Sequence, residues 1–305
     1  MTVHLVGHGI VARRLERLLA GRDLIVHDPY WSDVTGAVAG DVVVLAQGGP
    51  HAPMVRRLIG RGHHVVTVGD SLEDTRELLG LRLDDGPTVV VGAAMSPGLS
   101  GLIARYLADQ LACVDEIHVA IHGTAGPACA REHHRSLSGM SPAWHDSAWV
   151  DRVGGSGREL CWFPEPIGAK DCYRARMASP LLLQRTFPDV DRVSGRRSAR
   201  RRDRFTAWLP MLSPPHPEGG TGGLRVEVRG ADAGGERRCL IAGVAELVGT
   251  ASAATAAAFV DAAIAGDLPG GMVITSDAGL ATVDLLRSVE RFGVRLQEFT
   301  GVPQT

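Results

Sequence analysis

Residues 3–19 read VHLVGHGIVARRLERLL, and the fold follows from this stretch. Val3–Val6 is a short apolar strand, and Val11, Leu15, Leu18 and Leu19 recur at spacings of four, three and one, which lays one apolar stripe along a helix. Between strand and helix stands Gly7-His8-Gly9-Ile10-Val11-Ala12, a G-x-G-x-x-A. In a βα turn each small residue has its own task. Gly7 permits the tight turn, Gly9 lets backbone N–H groups approach a pyrophosphate seated on the helix N-terminus, and Ala12 lets helix and strand pack closely. About twenty residues on, Asp28 ends a second strand, where a carboxylate accepts hydrogen bonds from the ribose hydroxyls of an adenosine and repels a 2′-phosphate. His27, Pro29 and Tyr30 flank it with no adjoining arginine. The pattern therefore predicts a dinucleotide site through Gly7, Gly9, Ile10, Ala12 and Asp28, with NAD(H) favoured over NADP(H).

The same rhythm continues for about a hundred residues. Strands are predicted at Val3–Val6, Leu24–His27, Val42–Ala46, His64–Val68 and Val89–Val91, with amphipathic helical patterns between them, the mark of βαβ units. Continuously apolar runs such as DVVVLA belong to sheets covered on both faces. The expected architecture is α/β, a Rossmann-type doubly wound parallel sheet. Ser96-Pro97 reads as an N-cap with proline at the first helical position, followed by Leu99, Leu102, Ile103, Tyr106, Leu107 and Leu111 at helical spacing.

From about Cys113 the pattern changes to mixed α and β, with a strand near 116–122 and a hairpin within 222–247. Helices are expected at 251–265, whose alanines suit close packing, and at about 277–292. The chain thus divides into a dinucleotide-binding domain (1–112), an α+β substrate and dimerisation domain (113–248), and C-terminal helices and a strand that return to the first domain (249–305).

Composition narrows the function classes. The 305 residues are 45% apolar and 22% charged with a formal net charge of −2, the profile of a folded chain with a sizeable core. So balanced a charge predicts no nucleic-acid partner, and no run approaches the roughly 18 apolar residues of a membrane span. The start goes directly into a strand, so a cytoplasmic protein is expected. Cys113, Cys129, Cys161, Cys172 and Cys239 lie far apart without a C-x-x-C pair, which predicts free thiols and no metal site. Lys170 is the only lysine among the 32 basic residues.

Open α/β sheets hold their ligands beyond the carboxyl ends of their strands. Gly48-Gly49-Pro50, Asp70, Ser96 and Pro97 occupy such positions and complete the cofactor-site candidates. Ordinary turn chemistry explains each of them as well.

Several stretches in order resemble the saccharopine dehydrogenase-like oxidoreductases: VHLVGHGIVARRL, the AQGGP turn, VVTVGDS, GAAMSPGLSGLIARYL at 92–107, and CWFPEPIGAKDCYRA at 161–175. The resemblance covers the first domain well and the second in patches. It implies a nicotinamide cofactor, hydride transfer at a C–N carbon of a small amino acid-derived substrate, and a homodimer formed through the second domain's sheet. An acidic Asp28 differs from relatives that place an arginine nearby for NADP.

The chemistry needs a proton-transfer group and an anchor for a carboxylate. Lys170, Tyr173 and His122 are the proton-transfer candidates, Lys170 if burial lowers its pKa. Arg174 and Arg131 are the carboxylate candidates, because a guanidinium fork suits that group. Arg174 and Arg176 are expected on one strand face. The run Arg196, Arg197, Arg200, Arg201, Arg202 and Arg204 reads first as a solvated face, with an anion site or a subunit contact as the alternative. Two other functions remain open: reduction or oxidation of a carbonyl without nitrogen, and a non-catalytic nucleotide-binding sensor or assembly protein.

Overall fold

The computed structural model describes residues 1–29, 36–81, 83 and 86–299. The first part of the chain runs β1 (Val3–Val6), α1 (Ile10–Leu18), β2 (Leu24–His27), β3 (Val42–Leu45), α2 (Ala52–Ile59), β4 (His64–Thr67), α3 (Leu72–Leu79), β5 (Thr88–Val91) and α4 (Ser100–Ala108). A second run follows: β6 (Cys113–His122), α5 (Pro127–Ser136), β7 (Met140–His145), β8 (Ala148–Val153), β9 (Glu159–Phe163), β10 (Gly168–Arg174), α6 (Ser179–Thr186), β11 (Arg192–Ser198), α7 (Arg201–Thr206), β12 (Thr221–Ala231) and β13 (Arg237–Leu247). The chain then forms α8 (Val248–Ala265), β14 (Gly271–Ile274), α9 (Thr282–Arg291) and β15 (Gln297–Phe299).

The first sheet has the order β14-β5-β4-β3-β1-β2, and its pairs are parallel. Every residue of β1, β3 and β5 is buried, as the uninterrupted valines require of strands covered on both faces. The edge strand β2 is half-exposed instead. The chain leaves β1 for β2 on one side and returns to β3 on the other. That reversal places a crevice at the carboxyl ends of β1 and β3.

The second sheet runs β15-β13-β12-β6-β11-β10-β9, with the β7–β8 hairpin attached beside β11. The predicted hairpin forms β12 and β13, paired antiparallel over their full length. Strand β14 joins the first sheet beside β5, while β15 pairs with β13 in the second. Helix α8 lies in the core, with Phe259 and seven of its nine alanines buried. It ends at Gly266, whose φ of +76° is a left-handed cap. By length and composition α8 is apolar enough to cross a membrane, but 72% of it is buried inside the protein. Its lack of a polar face is that of a helix surrounded by protein.

Two helix starts differ from the sequence reading. Ser96 has the extended backbone of a cap (φ −145°, ψ 128°), but its hydroxyl accepts no first-turn N–H and lies instead 2.8 Å from that of Ser179. Regular α-helix begins only at Ser100. The last helix starts at Thr282, because the Asp277 carboxylate instead accepts the N–H of Ile274 at 2.7 Å and holds a turn.

Candidate active site

The crevice at the strand reversal opens into a cleft of about 810 Å³ between the two sheets. On its first-domain wall the fingerprint glycines divide their work. Gly7 has φ +122°, and a Cβ there would sit 2.9 Å from the Gln47 amide nitrogen, so β1 and β3 can approach this closely only with glycine. Gly9 is the N-cap of α1, and a Cβ built on it meets nothing within 4 Å. No side chain caps the helix. Its first-turn N–H groups thus face open space with the helix dipole behind them, which suits an anion. Ala12 is buried beneath, and Ile10 lines the cleft.

Gly48, Gly49 and Pro50 form the rim beyond β3. His51 sits just below it, fixed by its N–H to the Asp74 carboxylate (2.8 Å) and by Nε2 against the Gln47 carbonyl (3.1 Å). Ser96 also lines the cleft, as does Ser252, whose hydroxyl accepts the Met95 N–H at 3.1 Å. Pro97 lies behind this surface, packed over Gly92. Asp28 is exposed at the end of β2, and its neighbour Pro29 reaches the cleft. Tyr30 lies outside the described residues.

The facing wall comes from the second domain. After β6, Gly123 takes φ +81°, where a Cβ would meet the Gly222 backbone at 2.8 Å. The chain then starts α5 with Pro127 in its first turn. Cys129, Arg131, Glu132 and Arg135 of α5 look into the cleft. So does Arg197 of β11, although its side chain is only 2% exposed. Its Nη2 lies 2.5 Å from the Asp70 carboxylate, an ion pair joining the two domains, while its Nε is buried without a partner. Burial and Asp70 hold the Glu132 carboxyl above its usual range. The same causes push the Cys129 thiol up to about 11, so it stays protonated at neutral pH. Burial and Arg197 bring His133 down to about 3; its Nε2 lies 2.9 Å from the Ser198 carbonyl, which leaves Nδ1 buried and unpartnered. These elements form a cleft with an anion-ready helix end on one wall and a cation flanked by carboxyls on the other.

Strand parity separates the remaining sequence candidates. Lys170 and Tyr173 are three residues apart on β10, so they point to opposite faces. Tyr173 faces the core, 3% exposed, with the Arg204 guanidinium 4.3 Å above its ring. Lys170 and His122 lie on the sheet's outer face, where His122 Nδ1 meets the Ser198 hydroxyl at 2.6 Å and burial plus Lys170 lower its pKa. Arg174 also points outward, into a different cavity. Of these candidates, only Asp70 and Arg131 share the cleft with the turn at residues 7–12. Arg176 lies beyond the end of β10, so it does not continue that strand face; it pairs with Glu73 across the cleft.

The arginine run is not one solvated face. Arg196 turns outward to Glu159 at 2.7 Å, and Arg197 turns inward to Asp70. Glu132 and Cys129 are cleft residues that the sequence reading did not propose for the site, and Arg197 entered it only as part of the arginine run, with an anion site as the second reading. Alternation along VSGRRS, with Val193 in the core, was the available signal for Arg197; nothing local marked the other two. No group of three or more His, Cys, Asp or Glu able to hold a metal ion occurs among the described residues.

No protein-family profile matches this sequence, and no protein of curated function does. Among solved structures, apo saccharopine dehydrogenase (L-Glu forming) of Saccharomyces cerevisiae superposes with a TM-score of 0.69. The match is 15% identical and covers 98% of this chain and 99% of that one. An amine dehydrogenase of Mycobacterium smegmatis reaches a TM-score of 0.48 at 12% identity, over 90% of this chain and 95% of that one. The architecture is therefore a Rossmann-type α/β domain joined to a second, mixed-sheet domain. More narrowly, the fold is saccharopine dehydrogenase-like.

Proposed function

We propose that this protein is a cytoplasmic, homodimeric NAD(P)-dependent oxidoreductase acting at the C–N carbon of a small amino acid-derived substrate, with NAD(H) preferred. One observation carries the reading: the uncapped N-terminus of α1, with open space over Gly9, shares its cleft with the Arg197–Asp70–Glu132 cluster. The residues present fit a dinucleotide. The first turn of α1 would hold the pyrophosphate, Asp28 the ribose hydroxyls, and Gly48, Gly49 and Pro50 the approach of the second nucleotide. When bound, the nicotinamide supplies hydride exchange.

The chain supplies the rest. Arg197, with its unpartnered Nε, and Arg131 on the rim would anchor a substrate carboxylate. Glu132, whose carboxyl is raised by burial and Asp70, is the candidate to hold a proton and return it at the reacting nitrogen. Arg197 beside it favours the ionised carboxylate and limits that rise.

The test is calorimetric titration with NADH and with NADPH, followed by a panel of amino acids and hydroxy acids monitored by nicotinamide absorbance. Micromolar NADH binding and turnover of an amino acid support the reading. Turnover of hydroxy acids alone moves the chemistry to carbonyls without nitrogen. Failure of a folded sample to bind either cofactor leaves a Rossmann frame without redox function.

A further inference from the structure

The second sheet has two faces, and only one looks into the cleft. On the outer face, away from Arg197 and Asp70, the β7–β8 hairpin and strands β9, β10, β11, β6 and β12 surround a separate cavity of about 300 Å³. Five guanidinium groups line it: Arg152, Arg174, Arg192, Arg196 and Arg229. The carboxylates that line it are Glu159 and Glu227, with Glu116 just behind.

These carboxylates are already engaged. Glu159 is held by Arg196 at 2.7 Å, and Glu227 by Arg225 and Arg229. Glu116 lies between Arg192 (3.4 Å), Arg229 (3.3 Å) and His118 (3.0 Å). Arg152 and Arg174 have no carboxylate within ion-pair distance among the described residues. Arg174 reaches only the Ser156 hydroxyl, at 3.3 Å. Burial, Arg196 and Arg152 make the Arg174 charge harder to hold, and Glu159 nearby offsets them only in part. The Nε of Arg192 is buried and unpartnered as well.

We infer that this outer pocket binds a compact multivalent oxyanion, at a site separate from the interdomain cleft. Planar guanidiniums arriving from β8, β10 and β11 match the oxygens of such a group in pairs. The strands fix their directions, so little ordering is needed on binding. The volume lies at the small end of ligand pockets, which suits one compact group better than a nucleotide. A phosphoryl group and a polycarboxylate share the required chemistry. The inference is independent of what the cleft does.

The experiment is calorimetry at low ionic strength with inorganic pyrophosphate and, separately, citrate, on the wild type and on Arg152→Gln and Arg174→Gln. Sub-millimolar binding of one or both is expected, the stronger identifying the source, with a loss of about tenfold or more in each variant. The bound anion should also raise Tm in the wild type. Arg152 is exposed on β8, so its variant should fold normally. A wild type that takes up neither anion overturns the inference, and so do variants that bind as the wild type does. If the substitutions change the oligomeric state without touching anion uptake, the cluster contacts a second copy and the inference also fails.

Discussion

Consider Asp70→Asn, which keeps the shape and a hydrogen-bond acceptor but removes the charge facing Arg197. The pair spans the interdomain cleft, its nearest atoms 2.5 Å apart, with side chains 2% and 25% exposed for arginine and aspartate. Two unit charges with centres about 4 Å apart attract by roughly 4 kcal/mol at an effective dielectric near 20. Removing one partner of a fully buried pair costs about 3–5 kcal/mol, because the other charge stays buried and unpaired. Asp70 is partly solvated, so water compensates some of that loss. The expected destabilisation is therefore about 2–4 kcal/mol. Arg197→Met should cost less, since the carboxylate left behind can reach water. The double variant should then resemble Arg197→Met alone, a coupling of about 2–4 kcal/mol, the whole cost of Asp70→Asn. Urea unfolding of the four proteins measures all these terms. An Asp70→Asn change below about 0.5 kcal/mol, or strict additivity of the two substitutions, would show that the pair does not tie the domains together.

Further outcomes follow from the same geometry. Gly9→Leu enters open space, so the chain should keep its Tm while NADH affinity in calorimetry drops at least about a hundredfold; retained affinity removes α1 as the anion site. Asp28→Ala should cut the NADH-over-NADPH preference by about tenfold, one lost charge-assisted pair, and an unchanged ratio means that Asp28 does not touch the ribose. Glu132→Gln should lower kcat by about a hundredfold or more on a proven substrate, with little change in KM, and an unaltered pH–rate profile would exclude it from proton transfer.

Acid should destabilise the fold. His133 is neutral when folded, with a pKa of about 3, whereas an unfolded histidine takes a proton near 6.5, so stability is full above that value and falls as pH drops toward 3. At pH 5 the loss from His133 alone reaches about 2 kcal/mol, and His27, His51, His63 and His122 are shifted in the same direction. Urea midpoints at pH 7.5 and 5 that coincide would count against this.

Much of the first domain was legible because its information is local. The βα turn from Val6 to Ala12, the all-apolar strands and the stripe on α1 are short-range patterns with one structural answer. Their boundaries shifted by a residue, and Ser96 and Asp277 shifted further, since each found a partner, Ser179 or the Ile274 amide, that competed with capping. The second domain was readable as α+β with its hairpin, but not in its register. Side-chain direction in a strand has period two, so Lys170 and Tyr173, grouped as neighbours in sequence, separate once β10 is placed.

Local sequence therefore specifies the Rossmann-type half and the position of its glycine-rich βα turn, because a tight turn, a buried strand and an amphipathic helix are each set by residues within one or two turns of one another. Which charged groups meet that turn depends on the closed fold. Asp70 and Arg197 are 127 positions apart, and Glu132 reaches them from a third element. Their neighbouring residues carry no mark of the encounter, since burial and charge pairing exist only after the two sheets close on each other.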